Sequence, residues 1–484
     1  MTNNNSSSPI SFSGGYFINN NEQIKTEFQQ SVNMLLTLPY IQSIKKEIIN
    51  LIQSAKTSIK LCSFILTDIE IYEILLKKVK EHKTAVFVLT QLDNSKLLTS
   101  FLSAEEQTEN FYQAHIDIVS KLYNNGAHIR AAKAAHAKFI IVDRSSAILM
   151  SANITTPSLN QNPESGVFIN DNDSLKSLDN LFDIIFQYGT EYTSFKSASN
   201  SKQFVVSRNT KLKNDWLTPL DSNNLKFTWK ETNHSLFKEL IKSIKTAKDE
   251  IVISSYSVVG LEHIPELTET IKEFIDKGGK IKLFCRGMNY RSDHLKNCLI
   301  LANFGVEIYG DYFNHSKGIV TNNNAFIFTA NIDGNHGLIN GFEVGYKLDR
   351  NQTIEFKNFI QWQIKSAPYK FIINPTKEEY YNTYDDYCRI KEINPPTTYL
   401  DINIESHLTD KYLNSNLEKY PIYLVYNSNK EVVATNINGK YFLSEMTGNT
   451  LKIKEKAGRP NFKESYLLKY NSISITQKKL NVNG

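Results

Sequence analysis

Two stretches of this chain place the same reactive side chains in the same order. The first holds His136, Lys138, Asp143, Ser151, Asn153 and Glu164; the second holds His315, Lys317, Asn322, Thr329, Asn331 and Glu343. These residue types suit phosphate chemistry. Cleaving a phosphodiester requires in-line attack, protonation of the leaving oxygen and stabilisation of charge on the non-bridging oxygens. One imidazole can attack phosphorus and form a phosphohistidine. A second, protonated imidazole can supply the leaving-group proton and then activate water. Lys138, Lys317, Asn153 and Asn331 supply four donors for the phosphoryl oxygens without a metal ion. Two histidines in opposite protonation states must then face one phosphate, so the two copies are expected to be half-sites of one centre.

The elements that must position these groups also repeat. Residues 40–55 and 236–247 have helical apolar spacing, and each leads through a lysine into an extended run, 58–64 and 251–256. A second unit follows in each half: helix 70–79 then strand 85–89, and helix 267–276 then strand 281–284, with Gly278-Gly279 closing the helix. A third pairs helix 111–123 with a strand at 128–129, and helix 293–303 with a strand at 306–308. The reactive residues come next. Runs 139–142 and 318–320 are read as strands with His-x-Lys at the entrance, and 147–150 and 325–328 as their hairpin partners with Ser/Thr-x-Asn at the exit. A hairpin brings the start of one strand beside the end of the next, so His, Lys and Asn meet at one sheet edge. Strands at 167–169 and 344–346 are expected just after each Glu. The alternation predicts two α/β halves with mixed or parallel sheets.

These residues resemble the phospholipase D superfamily signature, His-x-Lys-x4-Asp followed by Gly-Ser-x-Asn and a later Glu. The first copy departs only at Met150, where the family usually has Gly. The second has Asn322 for Asp, a loop shorter by one residue, Phe328 for Gly and Thr329 for Ser. A third tripeptide, His294-Leu-Lys296, lacks the Asp and the Ser-x-Asn and is read as carrying a helix-surface histidine. The resemblance covers roughly residues 35–365. It implies two phospholipase D-like α/β domains packed about a pseudo-twofold, a metal-independent phosphodiesterase acting without cofactor, His136 as nucleophile and His315 as acid, and Glu164 and Glu343 as the carboxylates that fix the imidazole tautomers. Asp143 is implied to be a supporting residue, with Ser151 and Thr329 beside it in that class.

The 484 residues, 41% hydrophobic and 22% charged, are enough for two or three folded domains, and the formal charge of +5 is a mild basic excess. The four cysteines form no Cys-x-x-Cys or Cys/His cluster, which fits a reduced, cytoplasmic setting better than a structural zinc site. No signal peptide or apolar run long enough to span a bilayer is present, so no integral membrane association is expected. The expected division is 1–34 irregular or disordered, 35–200 the first half, 201–372 the second, 373–400 a Tyr-rich linker or docking segment, and 401–484 a small β-rich accessory domain. That last domain carries 12 Lys/Arg against 8 Asp/Glu, with Lys452, Lys454, Lys456, Arg459 and Lys463 clustered. It is expected to bind nucleic acid or a protein partner, or to mediate oligomerisation. Arg130, Lys133, Arg286 and Arg291 are candidates for gripping neighbouring phosphates, and Tyr256, Phe284, Tyr290, Tyr309 and Tyr312 for stacking bases or, more simply, for filling the core or rim.

The motif does not choose among the superfamily's substrates. The missing membrane signals and the basic tail favour a nuclease on DNA or RNA. The Asn-, Ile- and Lys-rich composition, resembling that of AT-rich bacterial genomes, associates it with defence against foreign DNA. The alternative is a phospholipase D or phosphatidyltransferase acting on lipid head groups.

Overall fold

The computed structural model describes residues 14–29, 31–81, 83–92, 109–197, 203–207, 212–217, 220–288, 292–322, 324–390, 402–406, 416–417, 419–427, 429, 431–438, 440–458, 464–467 and 472–475. They fall into two compact units, one from Glu22–Met288 with Ile300–Pro368, the other from Met1–Asn21, Asn289–Leu299 and Tyr369–Gly484.

The first unit contains the duplication. Its first half has strands β1 (Leu35–Leu38), β2 (Ile41–Gln42), β3 (Ser58–Cys62), β4 (Ala85–Thr90), β5 (His128–Ala131), β6 (Phe139–Val142), β7 (Ser146–Met150) and β8 (Glu164–Phe168). The second half has β9 (Leu225–Trp229), β10 (Asn233–His234), β11 (Glu250–Ser254), β12 (Lys280–Arg286), β13 (Glu307–Asp311), β14 (Gly318–Thr321), β15 (Asn324–Phe328) and β16 (Phe342–Lys347). The sheet orders are β5-β4-β3-β6-β7-β8-β1-β2 and β13-β12-β11-β14-β15-β16-β9-β10, the same topology twice. In each sheet the first three strands are parallel and the rest antiparallel. Strands Tyr192–Ser197 and Gln203–Ser207 extend the first sheet beyond β5.

Helices α1 (Ser43–Ser54) and α2 (Ser235–Thr246) precede β3 and β11. Each buries an apolar residue every four positions, Ile44, Ile48 and Ile52 in one, Leu236, Leu240 and Ile244 in the other. The apolar run Phe139-Ile-Ile-Val142 is buried on both faces of its sheet. Ile140 and Val142 pack into the first half's own core, while Phe139 and Ile141 face a core shared with Phe227, Ile327, Phe342 and Phe356 of the second half. Phe139 and Phe342 meet edge to face, with ring centroids 6.2 Å apart. The two halves are therefore joined by a continuous apolar layer directly behind the motif strands.

Three features differ from the sequence reading. Each motif glutamate lies on its strand rather than just before it, Glu164 opening β8 and Glu343 second in β16. The strand pairs β1–β2 and β9–β10, which carry each sheet past that glutamate strand, were not foreseen; four-residue runs such as Leu35–Leu38 have too little pattern to announce themselves. His294 lies on helix Ser292–Phe304 but is fully buried, not on the surface.

In the second unit, strand Gly15–Asn19 from the segment expected to be irregular pairs antiparallel with Tyr369–Ile373. A helix spans Lys377–Ile390 within the expected linker. The C-terminal segment forms the expected β-rich module, a seven-stranded sheet. Its Val432–Ile437 and Lys440–Thr447 strands turn at Asn438, whose φ is 49°, and the next hairpin turns at Gly448, whose φ is 56°. Lys454 is paired to Glu445 at 2.5 Å, and Lys452 lies opposite Glu445 on the neighbouring strand, so part of the basic cluster is neutralised. Arg459 and Lys463 lie outside the described residues.

Candidate active site

His136 and Lys138 stand at the entrance to β6, and Asn153 follows the exit of β7. His315, Lys317 and Asn331 take the same places around β14 and β15. The hairpins close the motifs as their spacing predicts: the Met150 amide donates to the Lys138 carbonyl at 3.1 Å, and the Phe328 amide to the Lys317 carbonyl at 3.3 Å. Met150 and Phe328 occupy positions where the superfamily usually has Gly, and both are buried. Room for them comes from the partner strands, where Met150 pairs with Gly166 and Phe328 with Gly345. A Cβ on Gly345 would lie 2.5 Å from Leu236 and 3.3 Å from the Phe328 side chain. The glycine has in effect moved across the ladder.

Each glutamate serves the histidine of the other half. His136 Nδ1 is 2.6 Å from Glu343 Oε1, and His315 Nδ1 is 2.6 Å from Glu164 Oε1. The second carboxylate oxygens turn home: Ser151 Oγ donates to Glu164 Oε2 at 2.5 Å, and Thr329 Oγ1 donates to Glu343 Oε2. The backbone repeats the exchange. The His136 amide donates to the Phe342 carbonyl at 3.2 Å and the His315 amide to the Pro163 carbonyl at 3.1 Å, each carbonyl just before the opposite glutamate. Neither histidine is thus held by its own half alone. Sequence spacing could not show this, because it places each Glu after an Asn without telling which way its strand faces.

The remaining donors converge from both halves. Lys138 and Lys317 are fully buried. Lys138 Nζ donates to the His136 carbonyl, and Lys317 Nζ donates to the His315 carbonyl at 2.7 Å. Both side-chain polar atoms of Asn153, and Oδ1 of Asn331, are buried without a hydrogen-bond partner. Such groups cost free energy unless a ligand engages them. Aromatic edges flank both imidazoles: Phe64 lies 5.3 Å from His136 and Tyr256 5.1 Å from His315, centroid to centroid, each roughly perpendicular.

The two halves differ in access and in proton affinity. A cavity of about 30 Å3 opens beside His136, lined by Phe64, Lys133, Asn331, Asp333, His336 and Asn340 among others, whereas His315 is 1% exposed. Burial holds the His136 imidazole down to about 4, with Lys138 acting the same way and Glu343 opposing. Burial works against the charge of Glu343, but His136, Lys138 and Thr329 keep its carboxyl below the usual range. Burial pushes the Glu164 carboxyl up to about 8, against the pull of Lys317 and Ser151. The His136–Glu343 pair therefore holds a neutral imidazole beside a carboxylate, and the His315–Glu164 pair keeps a proton to higher pH.

Asp143 stays out of the centre. At φ 51° in the turn between β6 and β7, it accepts the amides of Lys56, Thr57 and Ser58 at 2.7 to 2.9 Å. Burial opposes its charge, but those N–H groups and the Thr57 hydroxyl together outweigh it and hold the carboxyl down to about 2. Asn322, at φ 40°, keeps one such contact, accepting the Lys248 amide at 2.8 Å. The Asp-to-Asn departure thus alters a loop clamp. Asp and Asn both tolerate this left-handed conformation.

Of the flanking cations, Lys133 lines the cavity, and Arg286 lies beside Tyr256. Arg130 is directed elsewhere: its Nη1 donates to the Phe186 and Gln187 carbonyls at 2.7 and 3.1 Å, and its guanidinium covers the Phe186 ring. Arg291 and Tyr290 lie outside the described residues. Phe284 is core, and Tyr309 donates to Glu307 at 3.0 Å. Sequence reasoning missed Phe64, His336 and Asp333. The glycine-rich run from Asn331 to Gly341, returning between two motif residues, was the available signal for the latter two.

A fold of two α/β halves that exchange a glutamate onto each other's His-x-Lys motif defines a class of phosphoryl-transfer scaffold. Residues 48–185 match the family model described as cardiolipin synthase, PLD-like domain, and the second half repeats the topology and motif of that segment. A comparison with curated proteins gives no match. Similar solved structures include polyphosphate kinase from Porphyromonas gingivalis, with TM-score 0.45 and 14% identity over 68% of this chain; this chain spans about half, 49%, of that one. Phosphatidylserine synthase from Haemophilus influenzae Rd KW20 gives TM-score 0.49 and 13% identity over 80% of this chain and 96% of that one. Nuc, a phospholipase D family member from Salmonella typhimurium, gives TM-score 0.25 and 21% identity over 31% of this chain and 91% of that one. Among the described residues no helix is long and apolar enough to cross a membrane.

Proposed function

We propose that the chain is a phosphodiesterase that works through a phosphohistidine on His136, with a nucleic acid strand as substrate. The crossed His–Glu pairs carry this reading. With Nδ1–H directed at Glu343, neutral His136 presents the Nε2 lone pair to phosphorus. Lys138, Lys317, Asn153 and Asn331 receive the charge on the non-bridging oxygens. The His315–Glu164 pair, which retains a proton because burial raises the Glu164 carboxyl, delivers that proton through His315 to the departing oxygen. It then takes a proton from the water that attacks the phosphohistidine, which returns His136 to the neutral state. Both oxygens of each glutamate are committed to His and to Ser or Thr, and the two lysines and two asparagines are a donor set that fits a metal-independent reaction.

The nucleic acid reading is supported by Lys133 at the cavity, Arg286 beside Tyr256, and the mild basic excess. The C-terminal β module, with Lys456 exposed, is proposed as an accessory binder of the same strand or of a protein partner. Defence against foreign DNA is the setting we assign, on composition alone. The lipid alternative has one observation in its favour: the matched model is of the cardiolipin synthase type. Phosphatidyl transfer would use the same intermediate with an alcohol in place of water.

The test is incubation in EDTA with single- and double-stranded DNA and RNA and, separately, with phosphatidylcholine and phosphatidylglycerol vesicles. Cleavage of a nucleic acid that disappears in H136A and H315A supports the proposal. Turnover of lipid alone overturns the substrate class, and loss of all activity in EDTA overturns the mechanism.

A further inference from the structure

Each half buries a histidine that the reaction above does not use. His115 and His294 are both fully buried. Each stands seven residues ahead of the leucine that ends its helix, where the Leu122 carbonyl accepts the Ala127 amide and the Leu301 carbonyl accepts the Val306 amide. The position is therefore the same in the two repeats, and in the first half its bonds can be followed to the nucleophile.

His115 lies on helix Glu109–Asn124. The Leu66 amide donates to its Nδ1 at 3.0 Å, and its Nε2 lies 2.9 Å from the Gln91 carbonyl. A carbonyl only accepts, so the ring is neutral with its proton on Nε2. The Leu66 carbonyl is a longer neighbour, 3.3 Å from Nδ1. Both partners lead to the cavity beside His136. Leu66 follows Phe64 by two residues, and the Phe64 ring is edge-on to His136. The Phe64 carbonyl accepts the Gln91 amide at 3.4 Å and the Thr90 hydroxyl at 3.2 Å. Gln91 in turn donates its side-chain amide to the Lys133 carbonyl at 2.8 Å. Phe64 and Lys133 both line the cavity. Burying two ring nitrogens costs free energy that an apolar side chain of similar size avoids. What the imidazole adds is two directed bonds to two different segments.

We propose that His115 is a positioning residue for the first half-site: it ties the Phe64 segment to the strand end at Gln91, and so sets the two walls, Phe64 and Lys133, that limit water at His136. The kinetic consequence rests on the phosphodiesterase reading, because it takes His136 as the nucleophile; the placement of Phe64 does not.

The test titrates the His136 imidazole by NMR in protein with labelled histidine, the resonance being assigned by its loss in His136→Ala. The titratable groups facing His136 are Glu343, Lys138 and Lys317, with Lys133, Asp333 and His336 at the cavity. Substituting His115 removes none of them, so a shift reports water reaching the ring. His115→Leu fills the space without either bond. It is expected to raise the His136 midpoint from about 4 towards the ordinary imidazole value by at least about one unit, a tenfold change in proton affinity. His115→Gln, which can offer an acceptor to Leu66 and a donor to Gln91, is expected to stay near wild type. Phe64→Ala raises the midpoint as well, and adding His115→Leu to it raises it no further. An unchanged midpoint in folded His115→Leu, or a full further shift in the double variant, overturns the proposal. Should the leucine variant not fold, His115→Asn, which keeps at most one of the bonds, carries the comparison; an intermediate rise supports the proposal and no rise overturns it. The acid limb of kcat is expected to move with the midpoint. A midpoint that moves while the limb stays refutes His136 as nucleophile and leaves the role of His115 standing, and the titration decides that role even if wild type turns over no diester.

Discussion

The exchange of glutamates between halves makes a prediction that within-half pairing would reverse. Glu343→Gln removes the carboxylate 2.6 Å from His136 Nδ1, and Glu164→Gln removes the one 2.6 Å from His315 Nδ1. A hydrogen bond to a charged group contributes about 1.5–3 kcal/mol, which is about 10- to 150-fold in rate at 1.4 kcal/mol per tenfold. An amide that donates to Nδ1 adds to the loss by fixing the wrong tautomer, with the proton on Nε2. The assay uses two diesters that differ in leaving group, one p-nitrophenolate and one alkoxide. Glu343→Gln slows both equally, because attack by His136 is common to them. Glu164→Gln slows the alkoxide substrate far more, because p-nitrophenolate departs without protonation. Glu164→Gln added to His315→Ala costs little further, whereas Glu343→Gln added to His315→Ala still costs its full factor. If Glu164→Gln behaves like His136→Ala and Glu343→Gln like His315→Ala, the crossed geometry is refuted.

Further perturbations probe other parts of the account. The rate against pH is expected to fall below about pH 4 as His136 takes a proton and above about pH 8 as the His315–Glu164 pair loses one; an acid limb near 6.5 contradicts the burial argument. Because the folded-state value for His136 lies below the ordinary imidazole value of 6.5, protonation favours the unfolded chain, so denaturant titrations should show this contribution eroding as pH falls from about 6.5 towards 4. Phe342→Ala, in the core shared by the halves, is expected to cost about 3–5 kcal/mol of stability and to abolish activity by loosening Glu343; full activity in the folded variant would mean the shared layer does not position the site. Asp143→Ala should cost about 1–2 kcal/mol, as lost caps do, with kcat nearly unchanged, while Asn322→Asp should be tolerated; a large kcat loss in Asp143→Ala would give that residue a chemical role.

Much of the fold was legible because duplication made each element its own control. The helix before β3 and the helix before β11 carry the same four-residue apolar spacing, and the two hairpins keep His-x-Lys and Ser/Thr-x-Asn at matching ends. What the sequence withheld depends on the third dimension. Glu164 and Glu343 sit at similar distances after their asparagines, yet each side chain crosses to the opposite half because its strand packs across the shared Phe139–Phe342 layer. Arg130 and Lys133 look alike in sequence, but one turns to the Phe186 and Gln187 carbonyls and the other to the cavity. The tolerance of Met150 and Phe328 is visible only once the ladder sets them against Gly166 and Gly345.

The central claim is a covalent phosphoryl group on His136, formed in a site to which both halves contribute. Rapid base-quench of the enzyme with a chromogenic diester in EDTA, followed by peptide mass spectrometry under non-acidic conditions that preserve phosphohistidine, measures it directly. The account predicts an adduct on His136 that accumulates in His315→Ala, where water activation is lost, and that is absent in His136→Ala. An adduct on His315, or turnover with no adduct on either histidine, would contradict it.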